Sequence, residues 1–169
     1  MILKSFTVLF LFLLFIGGIM GQKIKPAQFE FGKDVIVQSI IVNRPGGTYK
    51  IEDSDIPITG ITVEIPEGAL NREVKIILGY NDGQLNLRAG KNSGVVFILR
   101  TEPGVSFLKP IKIVVPYQVS INPLGVAGYA IDENGRLHLL DTGGMNEADG
   151  TVSFYTFKPI LLTWVYIME

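Results

Sequence analysis

The chain has 169 residues, a formal net charge of −1 and no cysteine. That length suits one domain with one core, and the missing cysteines exclude disulfides, thiolate catalysis and zinc–thiolate sites. Charge this close to balance, with no long run of either sign, excludes an electrostatic footprint for nucleic acid or for a membrane surface.

The first element is a leader. Met1, Ile2, Leu3, Lys4 and Ser5 form a charged start, and residues 6–16 are apolar except for Thr7. Gly17, Gly18 and Gly21 then break the helix and supply small residues, so cleavage is expected after Gly21 with Gln22 starting the mature chain. The apolar stretch is short against the roughly 20 residues that a membrane helix needs. A cleaved signal peptide over 1–21 is therefore expected, with an uncleaved anchor as the alternative, and no cysteine follows that could carry a lipid. The protein is expected to be secreted, periplasmic or on the cell surface.

Residues 22–33 read as an N-terminal extension and 34–169 as the folded domain. Within it, apolar residues alternate or run in groups of four to eight, rich in Val, Ile, Phe and Tyr and punctuated by Gly, Pro, Asn and Asp. Strands are predicted at 35–42, 48–52, 60–65, 74–80, 84–87, 95–100, 111–117, 126–132, 136–140, 151–154 and 160–167. Asn81-Asp82-Gly83 and Glu133-Asn134-Gly135 carry the residues that tolerate positive φ in hairpin turns. Only 66–73, opened by Pro66 and Glu67, offers one helical turn.

Evenly spaced strands, no βαβ pattern and no long repeat predict an all-β fold, an antiparallel Greek-key β-sandwich with very little helix. Alternation places Ile61, Val63 and Ile65, and likewise Ile111, Ile113 and Val115, on faces that enter the core. The run 160–168 has one polar residue, Thr163, so it is either central in a sheet or pressed against a partner.

Two segments carry a family resemblance. Gly46-Gly47-Thr48, then Val63-Glu64-Ile65-Pro66-Glu67-Gly68-Ala69-Leu70, resembles the core signature of the ZU-five domain. Residues 104–117, with Phe107, Pro110, Pro116 and Tyr117, resemble that family's second conserved segment, and 129–140 resembles a hairpin of the UPA domain that often follows it. The resemblance implies a β-sandwich interaction module of the bacterial surface or periplasmic type with no shared catalytic residues. Relatives that cleave themselves carry His-Phe-Ser near the end of the unit. The matching stretch here, Thr156-Phe157-Lys158-Pro159, has neither His nor Ser.

Candidate chemistry is sparse. His138, the single histidine, stands opposite in facing to Leu137 and Leu139 and reads as a surface residue, although a His–Ser–Asp system would have to use it. Glu64 with Glu67 and Asp53 with Asp55 are the carboxylate pairs that could serve a glycosidase or hold calcium. Asp132-Glu133-Asn134-Gly135 has the wrong spacing for a calcium loop and reads as a turn. The acidic, glycine-rich segment 141–150 reads as a flexible connection, with calcium as its alternative. Gly46-Gly47 and Gly143-Gly144 lack the Lys-Ser or helix that a phosphate cradle needs.

Tyr80, Tyr129, Tyr155, Trp164 and Tyr166 are aromatic residues that either build the core or stack on a ligand, with Trp164 and Tyr166 as the possible ligand contacts. The expected function is a non-enzymatic exported module for protein interaction or surface assembly, and the alternative is a carbohydrate-binding module using strand aromatics. No cofactor or metal is expected, and the partner is expected to be another protein or envelope component, with membrane involvement only through an uncleaved leader.

Overall fold

A computed structural model of the protein describes residues 28–86, 91–92, 95–118, 120 and 123–168. The leader and the first residues of the extension, as well as Leu87, lie outside them. The described chain folds as an antiparallel β-sandwich. Its strands are β1 (Gln28–Glu30), β2 (Asp34–Val42), β3 (Gly47–Lys50), β4 (Thr62–Ile65), β5 (Val74–Asn81), β6 (Gln84–Asn86), β7 (Lys91–Asn92), β8 (Val96–Glu102), β9 (Ile111–Pro116), β10 (Gly125–Ile131), β11 (Leu137–Leu139), β12 (Thr142–Asn146), β13 (Thr151–Thr156) and β14 (Ile160–Ile167).

The larger sheet runs β11-β10-β14-β8-β5-β2, with β7 also paired to β14, and the smaller runs β12-β13-β9-β4-β3. Every pairing is antiparallel. Because β2 leads to β3, β4 to β5, β8 to β9 and β13 to β14, the chain passes repeatedly between sheets, as Greek-key connections do.

Period-two patterning builds the core. On β4, Val63 and Ile65 are buried while Thr62 and Glu64 lie outward, and on β9 Ile111, Ile113 and Val115 are buried against Lys112 and Val114. From the larger sheet, Ile76, Leu78, Phe97, Leu99, Leu162 and Trp164 meet them in one cluster. Each such side chain contributes about 1.5–3 kcal/mol by leaving water, which makes this cluster the dominant stabilising feature. The run at 160–167 is accounted for by position: β14 lies between β10 and β8, and is buried over most of its length.

A third, small layer was not foreseen. β1 and β6 form a two-stranded ribbon whose Phe29 and Leu85 pack on Val96, Ile131, Leu137 and Leu161, outward-facing residues of the larger sheet. Asn81 anchors this ribbon. Its Oδ1 accepts from the amides of Gly32 and Gly83, both at 2.9 Å, and its Nδ2 donates to Asp34 Oδ1 at 2.5 Å and Gly32 O at 3.3 Å. A 96%-buried amide is thus fully employed in holding the β1–β2 connection to the β5–β6 turn.

Two expectations need correction. The segment 66–73 forms turns and no helical turn. The segment 141–150 is not a flexible connection: β12 pairs with β13, and a register shift between Thr142 and Gly144 absorbs the glycine pair as a bulge. Gly144 takes φ +101°, open to glycine and strained for other residues.

Candidate functional site

The two segments singled out in the sequence, 46–48 with 63–70 and 104–117, meet in space. Gly68 donates its amide to Arg44 O at 2.8 Å, Ala69 to Pro66 O at 3.0 Å, and Leu108 to Ala69 O at 2.8 Å. Lys109 Nζ donates to Glu67 O at 2.6 Å. A Cβ on Gly46, at φ +74°, would stand 2.1 Å from Ile65 O, so this position admits glycine alone. Ala69 and Phe107 are buried, Phe107 donates to Phe157 O at 2.7 Å, and Tyr117 donates to Gly150 O at 2.9 Å. Gly47 opens β3, Pro110 immediately precedes β9, and Pro116 is its last residue, with a ring that lies over Gly60. These residues hold the ends of β3, β4 and β9 together, and their role here is structural.

A cleft of about 820 Å³ lies where the end of β10, strand β11 and the β13–β14 connection converge. Its apolar walls are Phe31, Leu99, Ala130, Ile131, Leu140, Pro159, Ile160 and Leu161, and its charged rim is Arg100, Asp132, Glu133, His138 and Lys158. Phe31 is set by Phe29, whose ring meets it edge-on at 5.1 Å and 83°, and about half of Phe31 remains exposed.

Three of the rim groups, Asp132, His138 and Arg100, are already engaged. His138 Nε2 lies 3.0 Å from Asp132 Oδ2, and the other oxygen of Asp132 accepts from the amides of Asn134 at 2.8 Å and Arg136 at 2.9 Å. The hydrogen bond from His138, followed by that from the Arg136 amide, holds the Asp132 carboxyl below the usual carboxylate range. Arg100 Nη2 donates to Asp34 Oδ2 at 2.6 Å. Burial pushes Asp34 upward, but hydrogen bonds from Asn81 and Arg100 outweigh it and the carboxyl settles below its ordinary value. Among the described residues lining the cleft there is no serine, threonine or tyrosine hydroxyl.

No family model matches the chain, and no curated protein matches it.

The remaining sequence candidates do not converge on the cleft. Glu64 pairs with Lys112 at 3.1 Å on the outer face of the smaller sheet, while the side chain of Glu67 is exposed at a turn. Asp53 Oδ1 accepts from the Asp55 amide at 3.0 Å, an ordinary turn contact. In the 141–150 hairpin, Asn146 caps its own turn through Ala148 and Asp149, and among the described residues no three His, Asp or Glu side chains gather around a common point. Gly143 serves packing, because a Cβ there would meet the Tyr155 ring at 2.5 Å.

Of the two readings offered for Trp164 and Tyr166, core or ligand contact, the structure takes the core. Both are 4% exposed and face the core from β14, so neither ring presents a surface on which a ligand could stack. Alternation along β14 aims them inward with Ile160 and Leu162. Of the five aromatics singled out, Tyr155 is the most exposed, at 38%. Asn81 and Phe31 were missed as organising residues. Asn81 carried only a turn signal, and Phe31 lay in a segment read as an extension.

Proposed function

We propose that this protein is an exported, non-catalytic β-sandwich module that mediates protein interaction or surface assembly. The observation that carries this reading is the cleft beside β11. It is wide and apolar-walled, its rim carboxylate Asp132 is already tied to His138, and the rim guanidinium of Arg100 is tied to Asp34 of β2. A site of this kind offers shape and desolvated surface to an extended polypeptide while leaving no activated nucleophile beside a free base. The apolar leader at 6–16 and the resemblance to ZU-five interaction modules support the same reading.

A photo-crosslinking amino acid placed at Phe31 or at Lys158 of the mature protein tests it in envelope preparations. Both positions are expected to capture the same polypeptide, and a control at Lys50 on the smaller sheet is expected to capture none. Equal labelling from all three positions, or recovery of the protein from the cytosol with its leader intact, contradicts the proposal.

Trp164 and Tyr166 are buried, so a carbohydrate-binding reading would have to rest on the other strand aromatics, of which Tyr155 is the most exposed.

A further inference from the structure

Strand β2 is an edge of the larger sheet, and among the described residues its only ladder partner is β5. It runs nine residues, Asp34–Val42, with no lysine, arginine or proline. Natural sheets usually guard long edges with such residues, because unpaired amides and carbonyls invite another strand. The opposite edge, β11, is only three residues long.

The sequence of β2 is close to a palindrome. Val35-Ile36-Val37 precedes Gln38-Ser39, and Ile40-Ile41-Val42 follows. An antiparallel pairing of two copies about an axis at Ser39, with Val37 taken up as a bulge, sets Val35 opposite Val42, Ile36 opposite Ile41 and Gln38 opposite Ile40. Such self-complementarity is what a two-fold interface requires. We propose that β2 pairs with β2 of a second copy in this register, joining two larger sheets into one.

The bulge decides whether that register is possible. In a regular strand, positions 36 and 41 would face opposite sides, since side chains alternate. Here the pairing slips between Ile36 and Gln38, so Ile36 lies opposite Gly79 and Ile41 opposite Lys75. Gly79 and Lys75 are four residues apart on the uninterrupted strand β5. Their partners therefore share one face and present their outer amide and carbonyl groups in the same sense. Ile36 and Ile41 are the exposed isoleucines of this strand, at 49% and 54%. The proposed pairing covers both, in each copy, as two Ile36–Ile41 pairs on either side of the axis. Asp34, the only charged residue on β2, falls opposite Asn43 of the second copy and meets no like charge.

This deepens the assembly reading above by naming a surface and a partner, and it rests on that reading only for its place in the envelope. The mature protein is expected to run as a dimer by size-exclusion chromatography with light scattering. Changing Ile36→Lys together with Ile41→Lys is expected to weaken dimerisation by about a hundredfold or more, with an unchanged circular dichroism spectrum, because apolar contacts become like-charge contacts.

The register has its own test, since the chain lacks cysteine. An equimolar mixture of Ile36→Cys and Ile41→Cys proteins is expected to form a disulfide-linked pair on oxidation. Ile36→Cys alone is expected to form none, because the two copies of position 36 would lie roughly 15 Å apart along the strands, beyond disulfide reach. A monomer at all concentrations, cross-linking of Ile36→Cys protein to itself, or open-ended oligomers would each overturn the proposal. If the protein is monomeric while Phe31 and Lys158 crosslinkers still capture one envelope polypeptide, the edge pairing fails and the module reading stands. If the dimer forms and nothing is captured, the reverse holds.

Discussion

Gly128 lies on β10 directly opposite Trp164 of β14, on the side of the sheet that faces the core. A Cβ added there would stand 2.4 to 2.9 Å from three atoms of the Phe154 ring. Phe154 is fully buried on β13 of the opposite sheet, so its ring has no solvent into which to retreat. Gly128→Ala therefore tests the contact between the two layers, and its cost is expected in the range of overpacked cores, about 1–3 kcal/mol. The backbone at this glycine is not in the left-handed region, so sterics rather than φ sets the effect. For a domain of this size, 2 kcal/mol lowers Tm by roughly 6–8 °C. Urea denaturation should show a lower midpoint with an unchanged slope. Phe154→Ala alone is expected to cost about 3–5 kcal/mol by opening a cavity. In the double variant the new methyl enters that cavity, so the combined loss should fall short of the sum by about 1 kcal/mol or more. Strict additivity would refute the packing of Gly128 on Phe154, and with it the facing assigned to β10.

Further expectations follow from single residues. Asn81→Leu removes four hydrogen bonds at a buried amide and orphans the amides of Gly32 and Gly83, so it should cost about 2–4 kcal/mol in denaturation experiments, with hydrogen exchange rising first in the β1–β6 ribbon. Trp164 is the single tryptophan, and its Nε1 is buried with no partner among the described residues. Its emission should therefore be blue-shifted in the native protein and shift red on unfolding, and Trp164→Phe should cost less than about 1.5 kcal/mol, because the orphaned donor leaves with the ring. The carboxyls of Asp34 and Asp132 are held below their unfolded values, so their stabilising effect is complete above about pH 4 and is lost as pH falls through the lower folded values. Acid titration of the urea midpoint should show that fall, and Asp34→Asn should flatten it.

Local pattern made the strands legible where one face is wet. The alternation in Val63-Glu64-Ile65 and in 111–115 placed the core faces of β4 and β9, and the structure keeps them. His138 is exposed as expected, though not for the reason alternation gave: it shares a face with Ala130, and Leu139 on the other face is itself 70% exposed. What local pattern could not carry was pairing at long range. β12 was hidden because Thr142-Gly143-Gly144 has strand-poor composition, and only the ladder to β13 and the Tyr155 ring over Gly143 make it a strand. Trp164 and Tyr166 could be assigned to core or surface only once β14 was known to be central. The cleft unites residues from 31 to 161, and no window of sequence contains it. The free edge of β2 depends on which strand ends the sheet, although its palindrome was present in the sequence throughout.

Hydrogen exchange of the mature protein, free and with its captured envelope partner, tests the central claim most directly. Protection is predicted at Phe31, at 131–140 and at 158–161, the segments that wall the cleft. Protection confined to the outer face of the smaller sheet, or exchange unchanged by the partner, would contradict it.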